Sequence, residues 1–227
     1  MILSGSRFFK NPHFRALVLL SFFALLAFWL YYDRRLVLDD WTQIVSDSIF
    51  GRMEWFDWSR RRPLDWMAYK AILAVFGLNI PVFYVINFLI ILGVFFMVYV
   101  LVDRLLPEFR PFGLVVALIA MLYPADYTMT WITMINNRLA WLITLVGMWL
   151  LLDYATRGGL ARLALVGFCF FLPLWIHEGT LGIVIAWCLF LALISRQASV
   201  KRRLALLSPL ILIIIFMVLR VFIRPLL

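Results

Sequence analysis

Long apolar runs separated by short charged segments dominate this chain. Seven of them predict helices, at residues 16–32, 81–102, 111–123, 129–152, 163–176, 179–194 and 204–223. Several are shorter than the roughly 20 residues with which an α-helix crosses a 30 Å hydrocarbon core. The pattern predicts an all-α polytopic membrane protein with about seven transmembrane helices, forming a single transmembrane domain over residues 1–227.

One connection differs from the others in length and charge. Residues 33–70 hold seven basic and seven acidic residues, and connections of this length are usually functional. Towards its end, apolar residues recur at helical spacing from Leu64 to Val75. We therefore predict a long first outer loop, 33–70, that leads into an interfacial helix over 64–77 lying on the membrane surface.

Composition supports a membrane location. Hydrophobic residues make up 66% of the chain and the mean hydropathy is +1.01, whereas about 45–50% apolar residues is usual for a soluble domain. The net charge of +9 comes mainly from Lys and Arg beside the apolar runs, where they set topology and contact lipid headgroups. We expect membrane lipids as partners and no nucleic acid.

Lys and Arg in the short connections predict the orientation. The N-terminal segment and the loops near residues 104–110, 157–162 and 196–203 are basic, and such loops face the cytoplasm. Seven spans then place the N-terminus inside and the C-terminus outside, and we expect the bacterial inner membrane. No small-residue cleavage site follows the first apolar run, which favours an uncleaved signal anchor.

Arg138 is a candidate functional residue because of its depth. It lies fifteen residues before Asp153, about 22 Å along a helix and inside a roughly 30 Å core. A charge at that depth is costly and by default marks a site. The alternative is that Arg138 extends to the outer headgroups, which a tilted helix or an earlier helix start would also allow.

His177 and Glu178 connect two short apolar runs. About 22 Å of helix precedes this pair and about 26 Å follows it, so neither helix spans the core fully. We expect the connection to lie in a polar recess below the outer surface, since non-helical backbone at such depth lines cavities. A plain polar turn at the interface is the alternative.

Carboxylates and guanidiniums should meet on this outer side. Asp39 and Asp40 suit proton abstraction or divalent-metal binding, and arginines suit phosphate. Arg61 and Arg62 belong to the run Arg60–Arg62 in the same outer loop. As alternatives, Asp39-Asp40 could cap a helix and the arginines could form a basic rim. Together the residues favour transfer chemistry on a lipid-linked phosphate, with metal use left open.

Several short motifs resemble the membrane module of type-C (GT-C) glycosyltransferases. The resemblance is greatest to the transmembrane O-mannosyltransferases that carry tetratricopeptide repeats and to their bacterial relatives, over residues 35–190. The matching features are the Asp-Asp pair in LVLDDWTQI, the Arg-Pro-Leu at 62–64, the Gly-Leu-Asn at 77–79, Asn87, Pro124, Arg138 and Glu178. The family's His before Pro is Tyr123 here, its Lys before Glu is His177, and the repeats are absent.

The resemblance implies sugar transfer from a polyprenyl-phosphate donor at the outer face. Asp40, or otherwise Asp39, would be the catalytic base. Arg61, Arg62 and Arg138 would bind the donor phosphate, and His177 with Glu178 would shape the cavity. The departures at Tyr123 and His177 favour an alternative, a catalytically inactive GT-C-derived subunit packed with other membrane subunits. A transporter or flippase is a weaker alternative, because internal repeats, which many transporters show, are not visible.

Overall fold

Every secondary-structure element that the structure describes is a helix. The computed structural model describes residues 11–31, 64–122, 131–195 and 199–220, together with residues 45, 49 and 62. The prediction of an all-helical protein is confirmed for these residues.

The α-helices are α1 (Pro12–Tyr31), α2 (Met67–Phe76), α3 (Ile80–Leu105), α4 (Arg110–Met121), α5 (Ile135–Arg157), α6 (Leu160–Ile176), α7 (Leu181–Ile194), α8 (Val200–Leu207) and α9 (Pro209–Val218). Short 3₁₀ turns at Pro107–Phe109, Ile132–Met134 and Glu178–Thr180 precede α4, α5 and α7.

Three stretches are long and apolar enough to cross a membrane by length and composition. They are Pro12–Trp29 in α1, Ile80–Leu105, which is α3, and Ile132–Arg157, which comprises a 3₁₀ turn and α5. Four further apolar helices are shorter, at Met67–Phe76, Pro111–Met121, Leu160–Ile176 and Glu178–Ile194. The finer count of seven spans stays a prediction.

Three predicted helices differ from the structure. The run 129–152 was expected to be one helix, but α5 extends from Ile135 to Arg157 and follows a 3₁₀ turn at Ile132–Met134. The run 204–223 was expected to be one helix, but α8 and α9 are separate and meet at Ser208, because Pro209 lacks the N–H that would continue the α8 ladder. The predicted interfacial helix 64–77 begins only at Met67, since residues 64–66 form a turn. Trp66, just before α2, and Tyr69 and Ile72 on α2 are buried, whereas Val75 is exposed.

The described residues fall into two compact units. The first contains α1, α3, α4 and the turn before α5. Its core uses one face of α1, where Ala16, Leu20, Ala24 and Ala27 recur at intervals of three or four residues. Three of these four residues are alanines, and small residues let membrane helices approach closely. Gly113 does the same between α4 and α3, because a Cβ there would lie 3.1 Å from the Tyr99 carbonyl oxygen.

The second unit contains α2, α5 from Asn136 onward, and α6 to α9. A Cβ at Gly147 would lie 2.7 Å from Phe170, so α5 and α6 pack closely. Trp187 on α7 donates its indole N–H to the Met148 carbonyl on α5 at 3.1 Å. Trp175 and Phe216 pack edge to face with ring centroids 5.2 Å apart, which joins α6 to α9.

A buried carboxylate stabilises the turn between α5 and α6. Asp153 has a side chain only 6% exposed, and its oxygens lie 2.8 Å from Arg162 Nε and 3.5 Å from Arg157 Nε. Gly158 and Gly159 form the turn with φ values of 69° and 105°, a left-handed region that suits glycine. Arg162 also donates to the Gly158 carbonyl at 2.9 Å. We call Asp153, Arg157 and Arg162 the Asp153 cluster.

Candidate functional site

A backbone contact brings the end of the first loop to the end of α6. The Leu64 N–H donates to the Trp175 carbonyl at 3.2 Å, and the Asp65 N–H donates to the Arg62 carbonyl at 3.0 Å. Trp66 beside them is buried. These contacts hold Arg62 next to the connection between α6 and α7.

Two arginines converge there on Glu178. Arg62 donates from Nε to Glu178 Oε2 at 2.8 Å and from Nη2 to Oε1 at 3.5 Å. Arg220, two residues beyond the end of α9, donates from Nη2 to Oε1 at 3.5 Å. The guanidinium of Arg220 also lies 5.8 Å from the ring centre of Phe216, within the range of cation–π attraction. We call Arg62, His177, Glu178 and Arg220 the Glu178 cluster.

The charges around Glu178 decide its ionisation. Burial alone would raise the pKa of Glu178, but the hydrogen bond from Arg62 and the charges of Arg62 and Arg220 outweigh burial and lower this pKa from 4.5 to about 2. The side chains of Arg62, Glu178 and Arg220 are 34%, 32% and 24% exposed. Glu178 is therefore ionised at neutral pH, and the cluster is partly exposed.

His177 lies next to Glu178 in sequence, and one of its two ring nitrogens can donate a hydrogen bond. The Gly179 N–H donates to His177 Nδ1 at 3.1 Å, so the neutral ring carries its proton on Nε2. Burial and the charge of Arg62 lower the pKa of His177, with partial opposition from Glu178. His177 is thus neutral at pH 7 and can donate one hydrogen bond. Gly179 is needed here, because a Cβ would lie 2.7 Å from the ring.

The predicted partners Arg62, His177 and Glu178 therefore lie together, although they come from segments more than a hundred residues apart. The helices on either side of the connection are 17 and 14 residues long, short of the roughly 20 that span a core. The short length of these two helices was the reason for predicting a polar recess at their connection. The recess itself stays a prediction.

Arg138 lies in the first turns of α5 and is partly buried. It makes a polar, ionic or ring contact in the structure. Because α5 extends to Arg157, Arg138 lies about 28 Å from the end of its helix rather than 22 Å, closer to the far boundary of the core than expected. Asn136 beside it is 1% exposed, and its amide has no hydrogen-bond partner among the described residues.

Three predicted site residues lie outside the described residues: Asp39, Asp40 and Arg61. Their roles, including the catalytic role of Asp40, stay predictions. Among the described residues, no group of three or more His, Cys, Asp or Glu side chains is arranged to hold a metal ion.

Arg220 was not predicted from the sequence. It stands alone in the apolar run 209–223, and the same rule that singled out Arg138 applies to it. A lone arginine inside the last apolar run was thus the sequence feature that could have identified Arg220 as a candidate site residue.

No protein-family model matches the chain, and searches of curated proteins and of solved structures find no match either. The resemblance to GT-C glycosyltransferases accordingly stays a prediction that depends on the motifs themselves.

Proposed function

We propose that this protein is a GT-C-like membrane glycosyltransferase, or the membrane module of one, that transfers a sugar from a polyprenyl-phosphate donor at the outer face of the bacterial inner membrane. The observation that carries the proposal is the Glu178 cluster. Two guanidiniums from distant segments meet at a partly exposed position beside a connection between two short apolar helices.

The chemistry of the cluster suits a lipid phosphate. Arginine binds phosphate through paired, charge-assisted hydrogen bonds. Arg62 and Arg220 give two positive charges against the one negative charge of Glu178, and His177 adds a neutral N–H donor. A bound phosphate would accept hydrogen bonds from the two arginines in place of some of those that Glu178 accepts now. Arg61 and Arg138 are further candidates for donor binding in this proposal.

Asp40 is the proposed base, and the test is direct. Transfer from a polyprenyl-phosphate donor in proteoliposomes should fall roughly 10²–10⁴-fold in Asp40→Asn, because Asn keeps the shape but cannot accept the proton. Asp39→Asn is the matched control and should lose less if Asp39 serves as a cap, since Asn caps about as well as Asp. Equal transfer by wild type and Asp40→Asn would remove the catalytic role.

A second candidate is a catalytically inactive GT-C-derived subunit packed in a larger membrane complex. It is favoured by the closed ion pairing of the Glu178 cluster, because both arginines already bond the carboxylate and could serve only to tie the loop to α6 and α9. Absence of transfer with any donor, together with stable co-purification with other membrane subunits, would favour this candidate.

The proposed topology has seven spans with the N-terminus in the cytoplasm and the C-terminus outside. Single cysteines at Asp47 and Ser199, in a background that lacks Cys169 and Cys188, should be labelled from opposite sides of the membrane. Labelling of both from one side would refute the topology.

A further inference from the structure

A groove of about 320 Å³ runs between α6 and α9. Its lining is apolar and includes Leu160, Ala164, Phe168, Pro209 and Leu212. The helices pack closely at Gly167, where a Cβ would lie 2.9 Å from Leu212 Cδ1. The α6 side of the groove extends from Leu160 to Phe168, about 12 Å of helix. That length is close to the thickness of one leaflet, about half of the 30 Å core.

A basic surface lies at the Leu160 end of this groove. Arg162 donates to the Gly158 carbonyl at 2.9 Å, and Arg202 donates to the Tyr154 carbonyl at 3.3 Å. Both guanidiniums therefore lie at the turn that directly precedes Leu160. Lys201 and Arg203, on the same helix as Arg202, are exposed.

The charge at this end is unbalanced. Residues 153–164 and 199–208 hold five basic side chains, Arg157, Arg162, Lys201, Arg202 and Arg203, and one acidic side chain, Asp153, which leaves a net charge of +4 by subtraction. Asp153 is already paired with Arg157 and Arg162. The α8 arginines and lysine therefore have no carboxylate partner in these segments, and their charge favours an anionic group.

We propose that this groove binds one acyl chain of an anionic phospholipid, with the headgroup phosphate at the Leu160 end beside Arg202, attracted also by the positive charges of Lys201 and Arg203. Basic pockets between membrane helices bind anionic headgroups in this way. The apolar lining, a length close to that of one leaflet and the cations at one end together match a lipid chain with its headgroup phosphate. The site lies outside the Glu178 cluster and does not depend on the proposed sugar transfer.

The headgroup arm of the test measures binding of phosphatidylglycerol and phosphatidylcholine to the full-length protein in detergent, by native mass spectrometry. Wild type should prefer phosphatidylglycerol. In the double variant Lys201→Gln/Arg203→Gln, the ratio of phosphatidylglycerol to phosphatidylcholine affinity should fall about 25-fold. The reason is that each basic group near an anionic lipid contributes roughly fivefold to affinity. The charge-retaining double variant Lys201→Arg/Arg203→Lys should keep the preference.

The chain arm fills the groove. Ala164→Phe places a ring in the groove at an exposed position and should weaken phosphatidylglycerol binding. Ala186→Phe makes the same change at an exposed position of α7 away from the groove and should leave binding unchanged. Thermal unfolding of each variant checks that it is folded.

Three results of the binding measurements would overturn the proposal, and a fourth concerns self-association. The three are equal binding of the two lipids by wild type, an unchanged preference in the Lys201→Gln/Arg203→Gln variant, or equal effects of the two Ala→Phe variants. Loss of self-association, rather than of lipid binding, in Ala164→Phe would identify the groove as a contact between copies of this chain and would also overturn it.

Discussion

Two carboxylates of this protein each bond two arginines, and the two clusters differ in the origin of those arginines. In the Asp153 cluster they follow the carboxylate by four and nine residues. In the Glu178 cluster they are 116 and 42 residues away. Local pairing stabilises one turn, whereas pairing between distant segments needs the whole unit to be folded.

Exposure separates the two clusters further. The Asp153 side chain is 6% exposed and that of Glu178 is 32% exposed. A buried carboxylate without its cation carries a large desolvation cost, so the arginines of Asp153 are held in place. A partly exposed pair exchanges partners with water or a ligand at little cost. The same chemistry thus favours a structural role at Asp153 and leaves Glu178 exposed enough for the binding role that we propose for it.

The largest expected effect is on stability at the Asp153 cluster. Arg162→Ala removes the closer cation, at 2.8 Å, from a buried carboxylate, and should lower the free energy of unfolding by about 3 kcal/mol. Arg157→Ala removes the longer ion pair, at 3.5 Å, and the Arg157 side chain is 67% exposed. This change should lower the free energy of unfolding by less than about 1 kcal/mol. Unfolding in mixed micelles measures both.

A double variant shows whether the loss comes from the unpaired charge. Adding Asp153→Asn to Arg162→Ala should recover part of the stability, because no charge then remains buried without its partner. If the double variant were less stable than Arg162→Ala, the unpaired charge of Asp153 would not be the cause of the lost stability.

A smaller effect is expected on ligand affinity at the Glu178 cluster. Glu178→Gln removes the anion that competes with a phosphate for Arg62 and Arg220. Binding of polyprenyl phosphate should tighten about fivefold, the equivalent of one exposed ion pair, and stability should change by less than about 1 kcal/mol. Unchanged binding with a clear loss of stability would instead support the structural-subunit candidate.

The smallest effect is on the pH dependence of stability. The pKa of Glu178 is lowered from 4.5 to about 2 in the folded protein, so folding favours its ionised form. This contribution is complete above pH 4.5 and is lost as the pH falls towards 2. As the pH falls from 4.5 towards 2, wild type should therefore lose more stability than Glu178→Gln. Asp153 is present in both proteins and so does not contribute to the difference. Parallel curves for the two proteins would contradict this account.

Much of the helical pattern was predictable because apolar runs and charged stops directly mark membrane helices. The helices α3 and α7 were predicted to within three residues at each end. The break at Ser208 was missed, since the apolar run continues through Pro209 and only the missing N–H ends the ladder. The late start of α2 was missed because the apolar spacing already begins at Leu64.

The site was predictable in part. Residue type and depth singled out Glu178 and His177, and their place beside Arg62 followed from assigning both segments to the outer side. The geometry was not predictable, because it depends on the bond from Leu64 to the Trp175 carbonyl and on the position of Arg220 just beyond the end of α9. The lone arginine in an apolar run marks Arg220 as a candidate, but its partner and the Leu64–Trp175 bond cannot be deduced from local sequence.

The most direct test of the account compares matched Arg→Gln changes at the two clusters. Binding of polyprenyl phosphate to wild type, Arg62→Gln and Arg157→Gln would be measured in bilayers with excess anionic phospholipid, so that the proposed lipid groove is saturated in all three proteins. We predict that Arg62→Gln weakens binding at least about tenfold, because a charge-assisted hydrogen bond to phosphate is lost, while Arg157→Gln stays close to wild type. Equal binding by the two folded variants, or no binding by wild type, would contradict the assignment of the Glu178 cluster as a phosphate site.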